Sequence, residues 1–415
     1  MQIPMRLRRY RFYEIGQDHY YYDDIATEEY VSWKVKTSFL PLARTLQEMV
    51  RLSKGKFHCS LAIPGTTLEL LEQYTPELID VIKELVSTKC VEIVAMPYAY
   101  SISAAYCESE WMQQLKLHQD KIYDLFGEKT TTLMNTELLY NDEIATSASK
   151  MGFKTLMTEG AKHILSWNSS NMLYHSCVKE KQFVLVRNMQ WSDALSFHFS
   201  DPSWPGYPMD AERAIAMVHE LTEQEELVNI WMGAEAFGIL QPEQTGIFEF
   251  LKAIPYYALE KGISFVCPRE ATKKLTSVHT ISSPFPLTWT GENKGLSTLD
   301  GNDLQQEAIH KLYAVAERVH LCKDSSLKAD WLLLQDANYL HYMNHIEHGD
   351  SNFESAYDAF INYMNILSDF LQQVEDQYPT TIENEELNSL LQTITNQEEE
   401  IANLKSEIKK LKKKK

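Results

Sequence analysis

Two carboxylates stand where short β-rich runs end. Glu137 follows the run Thr131–Met134 in Met134-Asn135-Thr136-Glu137-Leu138-Leu139-Tyr140. Glu235 follows Leu227–Met232 in Trp231-Met232-Gly233-Ala234-Glu235-Ala236-Phe237-Gly238. Two carboxyl groups about 5–5.5 Å apart, one a nucleophile and one an acid/base, cleave a glycosidic bond with retention of configuration. Tyr98, Tyr100, Tyr140, Trp191 and Trp231 fall at the same strand ends, where their rings could stack on sugar C–H faces. Each residue type also has a plainer role: a strand-end Glu can cap a helix, and aromatic rings are usually core.

Such side chains need a sheet that brings strand ends together. Runs that read as strands are Phe57–Ile63, Val91–Ala95, Thr131–Met134, Lys154–Met157, Phe183–Val186, Leu227–Met232 and Ile263–Val266. Helical stretches lie between most of them: Thr67–Ser87, Ser109–Phe126, Glu143–Lys150, Ala211–Leu221 and Gly246–Lys261. Alternation of this kind predicts an α/β fold with a parallel sheet, either a barrel or a wide open sheet. In a barrel the chemistry sits at the carboxyl ends of the strands. A Ser, Pro and Gly-rich stretch from Ser282 to Gly301 marks a boundary, and from Leu304 to Val374 the pattern turns helical. The expected domains are a barrel over 1–285, a helical bundle over 286–380 and a coiled-coil helix over 381–415.

The tail carries heptads. Leu387, Ile394, Ile401 and Ile408 are seven apart, and Leu390, Gln397, Leu404 and Leu411 follow each by three. Ile at a with Leu at d favours a parallel two-stranded coiled coil, so a homodimer is expected. A single amphipathic helix folded back on its own bundle is the competing reading.

Composition narrows the partners. A net charge of −19 argues against nucleic acid and anionic membranes and suits a neutral ligand such as a sugar. A hydrophobic share of 44% is ample for a core. No apolar run nears the roughly 18 residues of a membrane span. The start, Met1-Gln2-Ile3-Pro4-Met5-Arg6-Leu7-Arg8-Arg9-Tyr10, lacks the apolar stretch of a signal peptide. Cys59, Cys90, Cys107, Cys177, Cys267 and Cys322 are scattered and form no C-x-x-C pair. They read as reduced thiols in a cytoplasm, with no disulfide framework and no metal site expected. His341, His345 and His348 share one helical face. They lack His-Glu-x-x-His order and read as a polar helix end rather than a zinc site.

Four segments carry a resemblance to a known family: Arg6-Leu7-Arg8-Arg9-Tyr10-Arg11-Phe12, His19-Tyr20-Tyr21-Tyr22-Asp23-Asp24, Asn135-Thr136-Glu137-Leu138-Leu139-Tyr140 and Ala356-Tyr357-Asp358-Ala359-Phe360-Ile361-Asn362-Tyr363-Met364. Over roughly residues 1–375 the chain resembles glycoside hydrolase family 57, the α-amylase and 4-α-glucanotransferase group. The resemblance implies an incomplete (β/α)7 barrel followed by a helical domain. It implies retaining cleavage or transfer of α-glucosidic bonds in α-glucan or maltooligosaccharide, with no cofactor.

Residue by residue the match is mixed. The family nucleophile is the Glu of Asn-Thr-Glu-Leu, which Glu137 matches. The family acid/base is the Asp that opens Asp-Tyr-Glu-Thr-Phe-Gly; that position here is Gly233, which has no proton to give. Glu235 stands two residues on, on the same face of an extended chain, and is the candidate substitute acid. The family's His-Gln-Pro is reduced to Gln2-Ile3-Pro4. Either the true start lies upstream of Met1, or the barrel is open at that edge. A Glu and a His near Tyr-Tyr are replaced by Met96 and Tyr100. Ser-Asp-Asp becomes Ser192-Asp193-Ala194, leaving Asp193 as a candidate sugar ligand, and the Arg after it is His198. In the helical domain Ser-Asp-His becomes Ala337-Asn338-Tyr339, which leaves Asn338.

The scaffold motifs survive while the pocket positions change. One reading is therefore an α-amylase-like pseudoenzyme that binds glycogen, starch or maltooligosaccharide with impaired or no hydrolysis. The other is an active retaining hydrolase or 4-α-glucanotransferase that uses Glu137 with a displaced acid such as Glu235. A third is a changed substrate, since Met96 and Tyr100 make the pocket more apolar.

Overall fold

The computed structural model describes residues 1–221, 225–344 and 351–378, with scattered positions between 390 and 405. The chain divides into two compact units, one of Met1–Arg6 with Asp23–Gly301 and one of Leu7–Tyr22 with the residues from Asn302 onward.

The first unit is a mixed α/β fold. Its strands are β1 (Cys59–Ala62), β2 (Val91–Val94), β3 (Thr132–Leu133), β4 (Thr155–Glu159), β5 (Leu173–Ser176), β6 (Phe183–Arg187) and β7 (His279–Ile281). Strand β1 pairs with β2 in one sheet, and the other sheet runs β3-β4-β6-β5-β7. A bridge from Ala95 to Leu133 carries β2 on to β3. Every pairing is parallel except β5 against β6. All residues of β2 and β4 are buried, as apolar runs covered on both faces should be.

Two predicted strands are absent. Leu227–Met232 and Ile263–Val266 have no ladder. Their donors are taken elsewhere: Glu226 and Leu227 both donate to the Asn171 carbonyl, Trp231 donates to the Ser192 hydroxyl, and Ile263 donates to Ala258. The predicted helix Thr67–Ser87 is two helices, Gly65–Tyr74 and Pro76–Ser87. Pro76 cannot donate to a preceding turn and holds Thr75 out of the helical region, at φ −142°. Ahead of β1, the helices Asp24–Lys34 and Leu40–Leu52 are joined through a π-helical turn, Val35–Phe39.

The second unit is helical: Asp303–Tyr313, Ala316–Leu321, Ser325–Leu334, Ala337–His341 and Ala356–Gln377. Residues 7–22 are clasped to the last of these. Arg9 pairs with Asp358, the Tyr10 amide donates to Asn362 at 2.8 Å, and Asn362 and Asn365 donate back to the Arg8 and Tyr10 carbonyls. Asp369, fully buried, accepts from the Tyr21 hydroxyl at 2.7 Å, the Gly16 amide at 2.6 Å and His19 Nδ1 at 2.8 Å. Three of the four segments that carry the family resemblance contribute to this clasp. Of the histidine trio, His341 ends a helix, while His345 and His348 lie outside the described residues. Of the predicted heptad positions, Leu390, Ile394, Gln397, Ile401 and Leu404 are helical and exposed. Leu387, Ile408 and Leu411 lie outside the described residues.

One carboxyl in this unit sets a pH trend. Burial pushes Asp330 up to about 6. Folding therefore disfavours its charge. This contribution to stability is full below the unfolded carboxyl range near pH 3.9 and is lost as pH rises through about 6. Asp330→Asn removes the charge and is expected to stabilise the protein by about 1 kcal/mol at pH 7.5, a value discounted because the side chain keeps some water. Near pH 4 the two proteins should give matching urea midpoints, and a variant no more stable than native at pH 7.5 would contradict this.

Candidate active site

The carboxyl ends of the parallel strands gather the polar residues. Tyr98 and Tyr100 lie just past β2, and Glu137 lies just past β3. Glu159 and Arg187 close β4 and β6 as register partners.

Glu137 sits on a backbone that a side chain rarely adopts, with φ +54°; Leu138 (+57°) and Tyr100 (+55°) share that region. Such residues cost of order 1–3 kcal/mol each and persist where their surroundings enforce them. The enforcement is visible. Leu138 and Leu139 donate to the Asn135 and Thr136 carbonyls, Asn135 Nδ2 donates to Leu139, and Trp111 Nε1 holds Asn135 Oδ1 at 2.9 Å. Trp289 N–H donates to the Glu137 carbonyl at 3.0 Å. The Glu137 carboxylate is nearly buried and receives a donor on each oxygen: the Tyr100 hydroxyl on Oε1 at 2.8 Å and Trp289 Nε1 on Oε2. The donors fix the carboxylate's orientation.

Behind Trp289 lies Arg187, whose guanidinium carbon is 5.6 Å from the indole centre. Its fork reaches Glu159 at 2.9 Å, Asp193, and the Trp231 carbonyl at 2.9 Å. Glu159 is fully buried, and burial raises its carboxyl above the usual range although Arg187 opposes this. Phe197 stacks on Trp289, with ring centres 6.5 Å apart. Sequence reasoning missed Trp289, Arg187 and Glu159. The available signal was a charge closing each of two buried apolar runs, Thr155–Glu159 and Phe183–Arg187.

The segment Gly233–Gly238 docks on the π-helical turn. Ser38 donates to the Ala234 carbonyl at 2.8 Å. Gly238, at φ +100°, lets the Thr37 carbonyl approach so closely that a Cβ would lie 2.1 Å from it. Lys34, just ahead of the same turn, reaches Glu235, with Nζ 2.9 Å from Oε1. Burial alone would raise the Glu235 carboxyl, but the Lys34 ammonium, the Met1 amino group and hydrogen bonds together outweigh it and hold the group below the usual range. A Cβ at Gly233 would fall 2.9 Å from Glu235 Oε2.

The other predicted site residues make the following contacts. Tyr98 lies against Gly65, donates to Glu69 at 2.5 Å and is buried. Tyr140 is buried with no partner for its hydroxyl among the described residues. Trp191 belongs to the main hydrophobic core. Trp231 contributes its backbone to Arg187 and Ser192 and packs partly buried on a smaller cluster. Asn338 lies in the second unit, donating to Asp336 at a helix start. Met96 is buried, its amide donating to the neutral His118, whose pKa burial pushes down to about 4. No helix among the described residues is long and apolar enough to cross a membrane, and the six cysteines are unpaired.

Residues 1–284 match the family profile described as Glycosyl hydrolase family 57. A curated protein of Methanocaldococcus jannaschii named "Putative alpha-amylase" is 28% identical over 378 residues, 86% of this chain and 79% of its own length. Among solved structures, the GH57-type branching enzyme of Pyrococcus horikoshii aligns with a TM-score of 0.64 at 14% identity, over 95% of this chain and 94% of that one. The α-amylase AmyC of Thermotoga maritima aligns at 0.59 and 12%, over 95% and 96% of the two chains. The 4-α-glucanotransferase of Thermococcus litoralis aligns at 0.61 and 14% over 82% of this chain, which spans only 56% of that protein. At these identities the solved structures establish a shared fold.

Proposed function

Because the chain belongs to glycosyl hydrolase family 57, we propose that it binds α-glucan at the Glu137 site and hydrolyses it poorly or not at all. The reading places that site in the family's incomplete (β/α)7 barrel. Gly233 carries it: the position where the resemblance puts the acid/base aspartate has no side chain. Loss of a general acid costs about 10²–10⁴ in rate. Glu235 is a poor replacement, since its pairing with Lys34 favours the carboxylate and a general acid must start protonated. The oriented Glu137 carboxylate, Tyr100 and Trp289 remain as sugar contacts.

One observation favours the active alternative. Glu235 Oε2 lies 2.9 Å from where the Cβ at position 233 would stand, so it reaches the start of the volume an aspartate would fill. A substrate that displaced Lys34 could leave Glu235 as the acid of a retaining hydrolase or 4-α-glucanotransferase. Reducing-end release from maltoheptaose separates the two. The binding reading expects at most a release about 10²–10⁴-fold slower than an ordinary glycosidase gives, together with saturable maltoheptaose binding by calorimetry. Turnover of about 1 s⁻¹ or faster that disappears in Glu137→Gln would establish the active alternative, and absence of both turnover and binding would defeat both.

The reading includes a homodimer through the heptads of residues 381–415. Four exposed apolar helical positions, Leu390, Ile394, Ile401 and Leu404, support it. Deleting the residues after Tyr378 is expected to halve the mass measured by light scattering. An unchanged mass would remove the tail from the assembly.

A further inference from the structure

At the amino-terminal ends of β1 and β2, opposite the end that carries Glu137, three donors of different kinds converge. His58, Cys267 and Glu270 each present one ligand atom, all within 4.8 Å of one another. Zinc takes N, S and O donors at about 2.0–2.3 Å in a tetrahedron, which sets them about 3.3–3.8 Å apart. The group already spans that scale. The contact of His58 Nδ1 with Glu270 Oε2, 2.7 Å, must open, and Glu270 Oε2, which also accepts the Cys267 amide at 2.9 Å, must turn toward the ion.

The histidine is oriented as a ligand. Its Nε2 lies 3.1 Å from the Gly55 carbonyl, which can only accept, so Nε2 carries hydrogen. With that hydrogen alone, the Nδ1 lone pair would face the carboxylate oxygen. A cation between them would satisfy both lone pairs. A backbone carbonyl on the far ring nitrogen is the usual support of a zinc-bound histidine. The Cys267 thiol is buried and donates to the Cys59 and Cys90 carbonyls at 3.1 and 3.5 Å. His58 and Glu270 are partly exposed, which gives an ion a route in and a water a fourth position.

We propose that His58, Cys267 and Glu270 bind one zinc ion as a structural staple, with water completing the tetrahedron. On binding, the Cys267 S–H bond is replaced by S–Zn and its proton leaves to solvent. The staple fastens a segment that no ladder holds. Ile263–Val266 makes no strand, and Phe265 rests on Phe57 at 4.9 Å just ahead of Cys267. The ligands are 209 residues apart in their largest step, from His58 to Cys267, so no short spacing announces them.

The test uses the full chain, stripped with chelator. Calorimetry with zinc chloride should give one equivalent, and cobalt should give a thiolate-to-metal charge-transfer band. Cys267→Ser should abolish that band, and His58→Asn should weaken zinc at least tenfold. Cys177→Ser, at an exposed thiol, should change neither readout. A native chain without the band, or a band that survives in Cys267→Ser, overturns the site. Should Cys267→Ser fail to fold, Glu270→Gln decides by the same tenfold criterion.

Discussion

Gly233→Asp is expected to raise reducing-end release from maltoheptaose about 10²-fold over the native chain, or about 2.7 kcal/mol of barrier. The gain is set at the low end of what a general acid contributes because the space is contested. The new Cβ would lie 2.9 Å from Glu235 Oε2, so Glu235 must swing aside while Lys34 holds its other oxygen. The crowding also helps. Two carboxyls forced together raise one pKa, and an acid must hold its proton at the working pH. Adding Glu137→Gln should return the rate to background, since a retaining mechanism needs both groups. A silent Gly233→Asp that still binds maltoheptaose like the native chain would mean that position 233 does not face the scissile bond.

Arg187→Met is expected to cost about 3–5 kcal/mol of stability at pH 7.5, a large part of a typical total. Methionine keeps much of the length but leaves the fully buried Glu159 without its counter-charge and strips Asp193 and the Trp231 carbonyl of a donor. The sign of the pH dependence follows. Burial already raises the Glu159 carboxyl, and removing Arg187 takes away what opposes that rise. A carboxyl whose folded pKa is raised destabilises the fold once pH climbs past it. The variant's deficit should therefore shrink as pH falls toward 5, and Glu159→Gln in the same chain should recover much of it. Urea melts with equal m-values measure this. A deficit under 1 kcal/mol, or one that ignores pH, would mean the pair is solvated or replaceable.

The two carboxylates and the missing acid were readable because they fall at the ends of apolar runs and inside one motif. Their partners were not. Trp289 lies in a stretch that reads as a boundary loop, yet it donates to Glu137 by both its ring and its amide. The segment that carries Glu235 docks on a π-helical turn next to Lys34, and a helical periodicity does not reveal such a turn. Strands β5 and β7 are too short to stand out as periodic runs, whereas Leu227–Met232 looked like a strand but gives its donors to Asn171 and Ser192. The family segments were legible as motifs. That Arg9, Tyr10 and Tyr21 exist to meet Asp358, Asn362 and Asp369 is a matter of tertiary pairing, which no local pattern displays.

The clasp also imposes an order on biosynthesis. His19 leaves the ribosome 350 residues ahead of Asp369. At about 5–20 residues per second, roughly 20–70 s pass before its partner is made. Throughout that interval the Tyr-rich segment of residues 7–22 lacks the Asp369 carboxylate, while the sheet of the other unit can already assemble. The helical unit is thus the last to close on the nascent chain, and a messenger truncated before Asp369 would yield a product whose first tyrosines stay exposed to chaperones and proteases.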